Sequence, residues 1–530
     1  MAHAAPSLQK VTMTSIQEAL GRLWRADDDA RMLQCDGQWA TWGQVRALTE
    51  QINRELSAVG CGPGGRVAVV LGNRMESVAA LIAIFRAERT LVTISPLQPA
   101  ERLSADLVAS SADYVLAPQH LWSEQVFADA VAELGADAFS VDGGEVVARA
   151  AATREPRDGN PGIAIEMLTS GTTGPAKRVP LGRKQLEVSL SAALRHNNRP
   201  QVRDKPPLAG AVGMVTLPIV HIGGLWSLLQ ALVAARPIVM LERFSLAGWH
   251  SAIKEHKPIL VGLPPPAIRE VLNSDIPRED LASVRAINTG TAPVDPEMVD
   301  AFVERYGIPI LITYGATEFA GAVAGWTLKD FNASWTEKRG SVGRPFPGVR
   351  LQVIGEDGTV LPPGQSGRLQ VASAQVGNSA ERWVTTSDLA HIDEDGYLYI
   401  DGRADDVIVR GGFKVAPEAV ADALRTHPAV ADAAVAGVDD ARLGQLPLAA
   451  VEVRNGAHVS EEELRAHCRL LLTPYEVPAR VFVVDELPRG AALKVDRRRL
   501  VATFQKLRGE RPREDAHARA KSAEKLGRES

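Results

Sequence analysis

Short apolar runs that end in small polar turns recur along the first part of this chain, and helical patterns separate them. Runs at 66–71, 91–94, 114–116, 163–168, 211–217, 237–240, 259–262, 284–288 and 310–313 have the length and composition of buried strands. Between them, apolar residues fall on one helical face. Val45, Leu48, Ile52, Leu56 and Val59 are the clearest case, and 16–24, 75–87, 103–110, 184–196, 226–235 and 246–256 follow the same habit. Strand–helix–strand alternation of this kind predicts a layered α/β body on a largely parallel sheet. In such sheets, ligands bind beyond the carboxyl ends of the strands. The polar turns there are Pro218 to His221, Thr289 to Pro293 and Tyr314 to Glu318.

The richest turn follows 163–168 and reads T-S-G-T-T-G-P-A-K. Gly171 and Gly174 let the backbone close around a ligand, and free N–H groups in such a loop cradle anions. Thr169, Ser170, Thr172 and Thr173 add hydroxyl donors, and Lys177 adds a point charge suited to phosphate. The common P-loop is excluded, because Lys177 is flanked by Ala176 and Arg178 rather than by Gly and Ser or Thr. Taken alone, a Ser/Thr/Gly-rich turn is common in solvated loops.

The chain has 530 residues, beyond the roughly 250–300 at which a single core stops growing. After about position 340 the texture changes to short strands punctuated by G-E-D-G, P-P-G-Q-S-G and D-E-D-G, a small antiparallel β lobe. Residues 401–406 read as a charged linker. Beyond them lies a compact α+β unit with a helix at 419–424, strands at 432–437, 448–453 and 480–484, and a capping box of Ser460 with Glu463. Leu464, Cys468 and Leu471 are placed on one face of the capped helix. The expected organisation is a large N-terminal region of α/β subdomains and a β lobe at 1–404, a small mobile α+β domain at 405–508, and a charged, loosely ordered tail at 509–530.

The formal net charge of −5 gives no general attraction to nucleic acid, and the basic run 497–499 is too short to supply one. No stretch approaches the 18 or so apolar residues that span a bilayer. Cys35, Cys61 and Cys468 are too scattered for a disulfide framework or a metal cluster. A soluble cytoplasmic protein, monomer or homodimer, is expected.

Five separated signatures, in order, resemble the adenylate-forming superfamily of acyl-CoA synthetases, aryl-CoA ligases, carrier-protein adenylation domains and luciferases. They are T-S-G-T-T-G-P-A-K at 169–177, Y-G-A-T-E at 314–318, T-S-D at 386–388, G-R-A-D-D at 402–406 and L-P-R-G-A-A-L-K-V-D-R at 487–497. The resemblance implies ATP, Mg²⁺ and CoA as cofactors and co-substrates. It implies that 169–177 wraps the β- and γ-phosphates, that Thr317 contacts the α-phosphate, and that Glu318 holds Mg²⁺. Tyr314 would stack on adenine, with Gly290, Thr291 and Ala292 on the other side of the base. Asp388 would accept the ribose hydroxyls and Arg403 would help with ribose or phosphate. Asp405 matches a hinge, and Lys494 matches the lysine that bridges carboxylate and α-phosphate. Gly411 and Gly412 resemble the segment facing the pantetheine tunnel.

His221 and the segment after it would lie against the acyl group. Gly223, Gly224, Trp226, Val261, Gly262, Thr289, Phe319, Ala320 and Ala322 are the expected wall, which suits a hydrophobic or aromatic carboxylic acid. The chain departs from the family at Ala176 and Arg178, at Ser387 for a turn Gly, and at Ala492 and Leu493 before the lysine. Arg178 is expected to add charge at the phosphate loop. A carboxylate–CoA ligase is the leading expectation. The alternatives are a freestanding enzyme that loads a carrier protein and a degenerate nucleotide-binding protein.

Overall fold

The computed structural model describes residues 15–169, 177–196, 206–290, 292–376, 381–410, 413–440, 443–472, 474–490 and 494–509; the side chains of 169, 405, 409, 413, 414, 508 and 509 are not described. The chain divides into two compact units, one running to Ile400 and the other starting at Asp401.

In the first unit a seven-stranded sheet has the order Glu145–Ala150, Asp137–Asp142, Tyr114–Ala117, Arg66–Val70, Thr90–Ile94, Ile163–Thr169, Lys177–Gly182. Its central strands are parallel, and the last strand at each edge is antiparallel to its neighbour. Thr90–Ile94 and Tyr114–Ala117 are buried at every position, as expected for strands covered on both faces. Helix Trp42–Ala58 opens with a Thr41–Gln44 capping box and buries Val45, Leu48, Ile52 and Leu56 on one stripe. Half-buried Arg66 forks onto Glu166 and caps the carbonyls of Ser110 and Ser111.

A second sheet runs Leu260–Gly262, Ala286–Thr289, Ile310–Ala316, Gly321–Gly325, Arg344–Pro345. A third, mixed sheet joins Gly213–Val215, Ile238–Met240, Arg31–Cys35 and Gln38–Thr41. The β lobe is four antiparallel strands, Arg350–Ile354, Gly367–Ala372, Val384–Ile392 and Leu398–Arg403. The expected linker is therefore structured: its first residues finish strand Leu398–Arg403, and Ala404–Asp406 is a 3₁₀ turn.

In the second unit, strands Ile408–Arg410, Phe413–Val415, Val430–Asp440, Gly444–Val453 and Arg480–Val484 form one sheet. Helices Pro417–Arg425 and Glu461–Leu471 pack against it. The Ser460–Glu463 capping box is present. Leu464 and Cys468 are fully buried, but Leu471 is exposed because the helix ends there. Helix Arg497–Gly509, hidden in the sequence behind its arginines, buries Leu500 and Phe504. Mixed α/β architecture with a large N-terminal and a small C-terminal part is what the sequence predicted.

Candidate active site

The first-unit candidates gather around the hairpin Ile310–Ala316 and Gly321–Gly325. The sequence Y-G-A reads as a turn, yet Tyr314, Gly315 and Ala316 continue the strand and pair with Ala324, Ala322 and Gly321. Gly315 is required by this pairing: a Cβ there would lie 2.3 Å from the Gly321 carbonyl oxygen. The reversal is made by the 3₁₀ turn Thr317–Phe319, closed by the Ala320 N–H on the Thr317 carbonyl at 2.9 Å. Ala320 is fully buried in the left-handed region, with φ 54°. Thr317 and Glu318 thus sit on a stiff turn, and the Glu318 carboxylate is exposed.

Tyr314 donates its phenol to the Asp388 carboxylate. This joins two signatures 74 residues apart. T-S-D is part of strand Val384–Ile392, not a turn, so Ser387 meets no demand for a glycine. The Asp388 N–H donates to Thr386 Oγ1 at 3.0 Å, which fixes the local backbone. Gly290 lies against Thr313 of the strand Ile310–Ala316. A Cβ on it would meet Thr313 Oγ1 at 2.3 Å, so strand Ala286–Thr289 hands over to the site only through a glycine. Ala292 follows, half-buried. Gln375, fully buried, donates to the carbonyls of Phe319 (3.2 Å) and Ala322 (2.9 Å) and ties the hairpin to the β lobe.

Lys177 is the first residue of strand Lys177–Gly182, paired with Thr169 and exposed. That strand packs beside the turn Thr317–Phe319. Arg178, expected to add charge at the phosphate loop, is engaged with helix Ala100–Ser110 instead. Its guanidinium is buried against Asp106 and donates to the Thr93 carbonyl at 3.0 Å. Ser170, Gly171, Thr172, Thr173, Gly174 and Thr291 lie outside the described residues.

His221 is the N-cap residue of helix Ile222–Val233, and that helix packs on strand Gly321–Gly325. The turn before it is held by Asn73, which sequence reasoning missed. The Asn73 amide nitrogen donates to the carbonyls of Leu217 (3.1 Å) and Leu241 (2.8 Å), and its oxygen accepts from the Ile219 N–H (2.8 Å). The one hint in the sequence was a polar residue just beyond a strand end.

The expected acyl wall is partly corrected. Gly224 gives no width, since a Cβ would lie 2.3 Å from the Pro218 carbonyl oxygen. Val261 is buried in the core. Trp226 donates its indole N–H to Ser189 and packs over Gly321. Gly262 differs: among the described residues nothing lies within 4 Å of where its Cβ would sit, and its carbonyl accepts from Thr216.

In the second unit, Lys494 is exposed on a short turn closed by the Gly490 N–H on the Lys494 carbonyl (2.8 Å) and the Asp496 N–H on the Pro488 carbonyl (2.7 Å). Arg489, at the base of that turn, reaches Asp432, which also pairs with Arg425. Arg403 ends strand Leu398–Arg403. Gly411, Gly412 and Leu493 lie outside the described residues, as does the side chain of Asp405.

Among the described residues no cluster of His, Cys, Asp or Glu could cage a metal. A lone exposed Glu318 still fits magnesium, which keeps several waters and takes one or two carboxylates plus substrate phosphates. Among the described residues no helix is long and apolar enough to cross a membrane.

The profile described as AMP-binding enzyme matches residues 22–379, and the one described as AMP-binding enzyme C-terminal domain matches 419–494. The chain belongs to the AMP-binding enzyme family. Its relatives include the sulfoacetate–CoA ligase of Cupriavidus necator, 31% identical over 88% of this chain and 92% of the relative. The 2-succinylbenzoate–CoA ligase of Bacillus subtilis is 28% identical over 88% and 93%, and the 4-coumarate–CoA ligase 5 of Oryza sativa is 28% identical over 88% and 90%. Members of the family use ATP and CoA, and these relatives are carboxylate–CoA ligases. Among solved structures, o-succinylbenzoate CoA synthetase of B. subtilis with its acyl-adenylate superposes with a TM-score of 0.76 at 25% identity, over 92% of this chain and 98% of that one. ATP-bound MatB of Rhodopseudomonas palustris gives 0.80 at 23% identity, over 93% and 100%, and so shares the fold.

Proposed function

We propose that this chain is an ATP-dependent carboxylate–CoA ligase acting on a hydrophobic or aromatic acid. The observation that carries the reading is the Tyr314–Asp388 hydrogen bond beside the Thr317–Glu318 turn. It sets an aromatic face, a carboxylate acceptor, a hydroxyl and an exposed carboxylate around one strand end. Those groups match base, ribose, α-phosphate and metal in turn. Family membership and the CoA-ligase relatives support the acceptor.

In the first step a carboxylate oxygen of the acid attacks the α-phosphorus, the bond to the bridging oxygen breaks, and pyrophosphate leaves. Lys494 neutralises charge between the carboxylate and the α-phosphate, and Thr317 donates to the α-phosphate oxygen. Lys177 holds the departing phosphates, with the hydroxyls of 169–173. A magnesium ion on Glu318 would add charge neutralisation at the phosphates. In the second step the CoA sulfur attacks the acyl carbon, AMP departs, and the thiol proton passes to solvent. Gly411 and Gly412 give the thin pantetheine arm close approach to the backbone.

The open space beside Gly262, and the clustering of Phe319 and Trp226 against the hairpin strand Gly321–Gly325, favour an apolar or aromatic acid. Relatives named for sulfoacetate, oxalate and 2-succinylbenzoate make doubly anionic acids the necessary comparison. The test is a panel of aryl, arylalkanoic, medium-chain and doubly anionic acids with ATP and Mg²⁺, reading pyrophosphate release with and without CoA. Products are assigned by mass, and K494A is the control. A thioester from an apolar or aromatic acid, lost in K494A by about 100-fold or more, is expected. An adenylate that passes to no CoA would move the acceptor to a carrier protein, and turnover only of doubly anionic acids would overturn the substrate class.

A further inference from the structure

We propose that Arg178 and Asp106 form a positioning pair that fixes the face from which Lys177 is presented to nucleotide. The proposal rests on the reading of Lys177 as a phosphate-binding residue.

Arg178 occupies position two of strand Lys177–Gly182, at the edge of the seven-stranded sheet. From there its side chain crosses strand Ile163–Thr169 to reach strand Thr90–Ile94. It donates to the Thr93 carbonyl at 3.0 Å and to the Asp106 carbonyl at 3.4 Å, and pairs with the Asp106 carboxylate on helix Ala100–Ser110. The two side chains are only 14% and 8% exposed. Side chains alternate along a strand, so holding Arg178 on the helix side puts Lys177 and Val179 on the other face. Val179 packs there against the main core, and Lys177 is exposed. A slip of one residue would reverse every side chain of this strand. It would bury the ammonium and release the guanidinium.

Stability does not explain the pair. Burial pushes the Asp106 carboxyl above the usual carboxylate range even with Arg178 beside it, and its second oxygen is buried with no hydrogen-bond partner among the described residues. Buried ion pairs often fail to offset their desolvation, and their best attested use is to enforce register. Arg178 is one of the positions at which the chain departs from the family pattern.

The test compares wild type, K177A, D106N and the charge-free double variant R178M/D106L in the full chain. The readouts are thermal midpoint, binding of a non-hydrolysable ATP analogue with Mg²⁺ by calorimetry, and KM for ATP and for the acid. Replacing both partners by apolar groups keeps the midpoint near wild type. Nucleotide binding should nevertheless weaken roughly tenfold, the scale of one misplaced charge-assisted hydrogen bond, while KM for the acid stays within about twofold of wild type. D106N, which keeps the volume, should raise KM for ATP and leave kcat unchanged, and it serves if the double variant does not fold. Wild-type nucleotide affinity in either folded variant, with K177A impaired, overturns the pair alone. Undiminished binding in K177A overturns the phosphate reading and the pair with it.

Discussion

Replacing Asn73 by Asp probes how the turn before His221 is held. Asn73 is 6% exposed and spends both amide donors on the carbonyls of Leu217 and Leu241. Asp has the same shape and no donor. In N73D the Ile219 N–H keeps its acceptor, but the half-buried carbonyls of Leu217 and Leu241 lose their donors and face a carboxylate oxygen instead. Each buried group left unsatisfied costs about 1–3 kcal/mol, so the loss is about 2–6 kcal/mol before any cost of burying charge. N73A strands all three groups, at about 3 kcal/mol or more, but brings no charge. Protonating the introduced carboxylate restores one donor, so N73D should recover stability toward acidic pH while N73A does not. Urea unfolding at two pH values reads both effects. At conditions where N73D is folded, KM for the acid should rise and KM for ATP should not. Stability within about 0.5 kcal/mol of wild type for N73D at neutral pH, well below the cost of one unsatisfied group, would refute the account.

The backbone contact at Gly315 should make G315A unfold about 1–3 kcal/mol more easily, because a Cβ would strike the Gly321 carbonyl and Ala322 Cα; an unchanged thermal midpoint would count against the close pairing. S460A removes a capping box and should cost about 1 kcal/mol, read as roughly fivefold faster labelling of buried Cys468 through local opening. Burial pushes the Cys61 thiol up to about 12. At pH 8 only about one Cys61 in ten thousand is thiolate, so disulfide reagents should label it slowly and tenfold faster per pH unit. Because the native thiol holds its proton more tightly than the unfolded one, this contribution to stability is present below the ordinary value of 9.0 and is lost as pH rises toward about 12.

Local signals were read well from the sequence. The central parallel strands, helix Leu246–His256 and the Ser460–Glu463 capping box depend on a few adjacent residues. Failures came where a distant partner decides. Tyr314 to Ala316 look like a turn because they are small and glycine-bearing, and become strand only through pairing with Gly321 to Ala324. Arg178 looks like a solvated cation until Asp106, 72 residues away, is brought beneath it. Gly224 suggests pocket width but accommodates the Pro218 carbonyl. Helix Arg497–Gly509 opens on three arginines, which masks the wide spacing of Leu500 and Phe504. The signatures were visible because each is contiguous. The bond between Tyr314 and Asp388 and the Asn73 clamp join separate stretches, and for Asn73 the local mark was no more than a polar residue beyond a strand end.

The strand that carries Lys177 also bears on how this chain behaves in a crowded solution. As the last strand of its sheet it presents a row of backbone groups to which another extended chain could add. Pro180, paired opposite Glu166 and exposed, withholds one donor from that row, and Lys177 puts a charge at its end. The same six residues that offer a cation to a small anion are thereby a poor template for strand addition, and the edge of the large sheet carries its own guard against self-association.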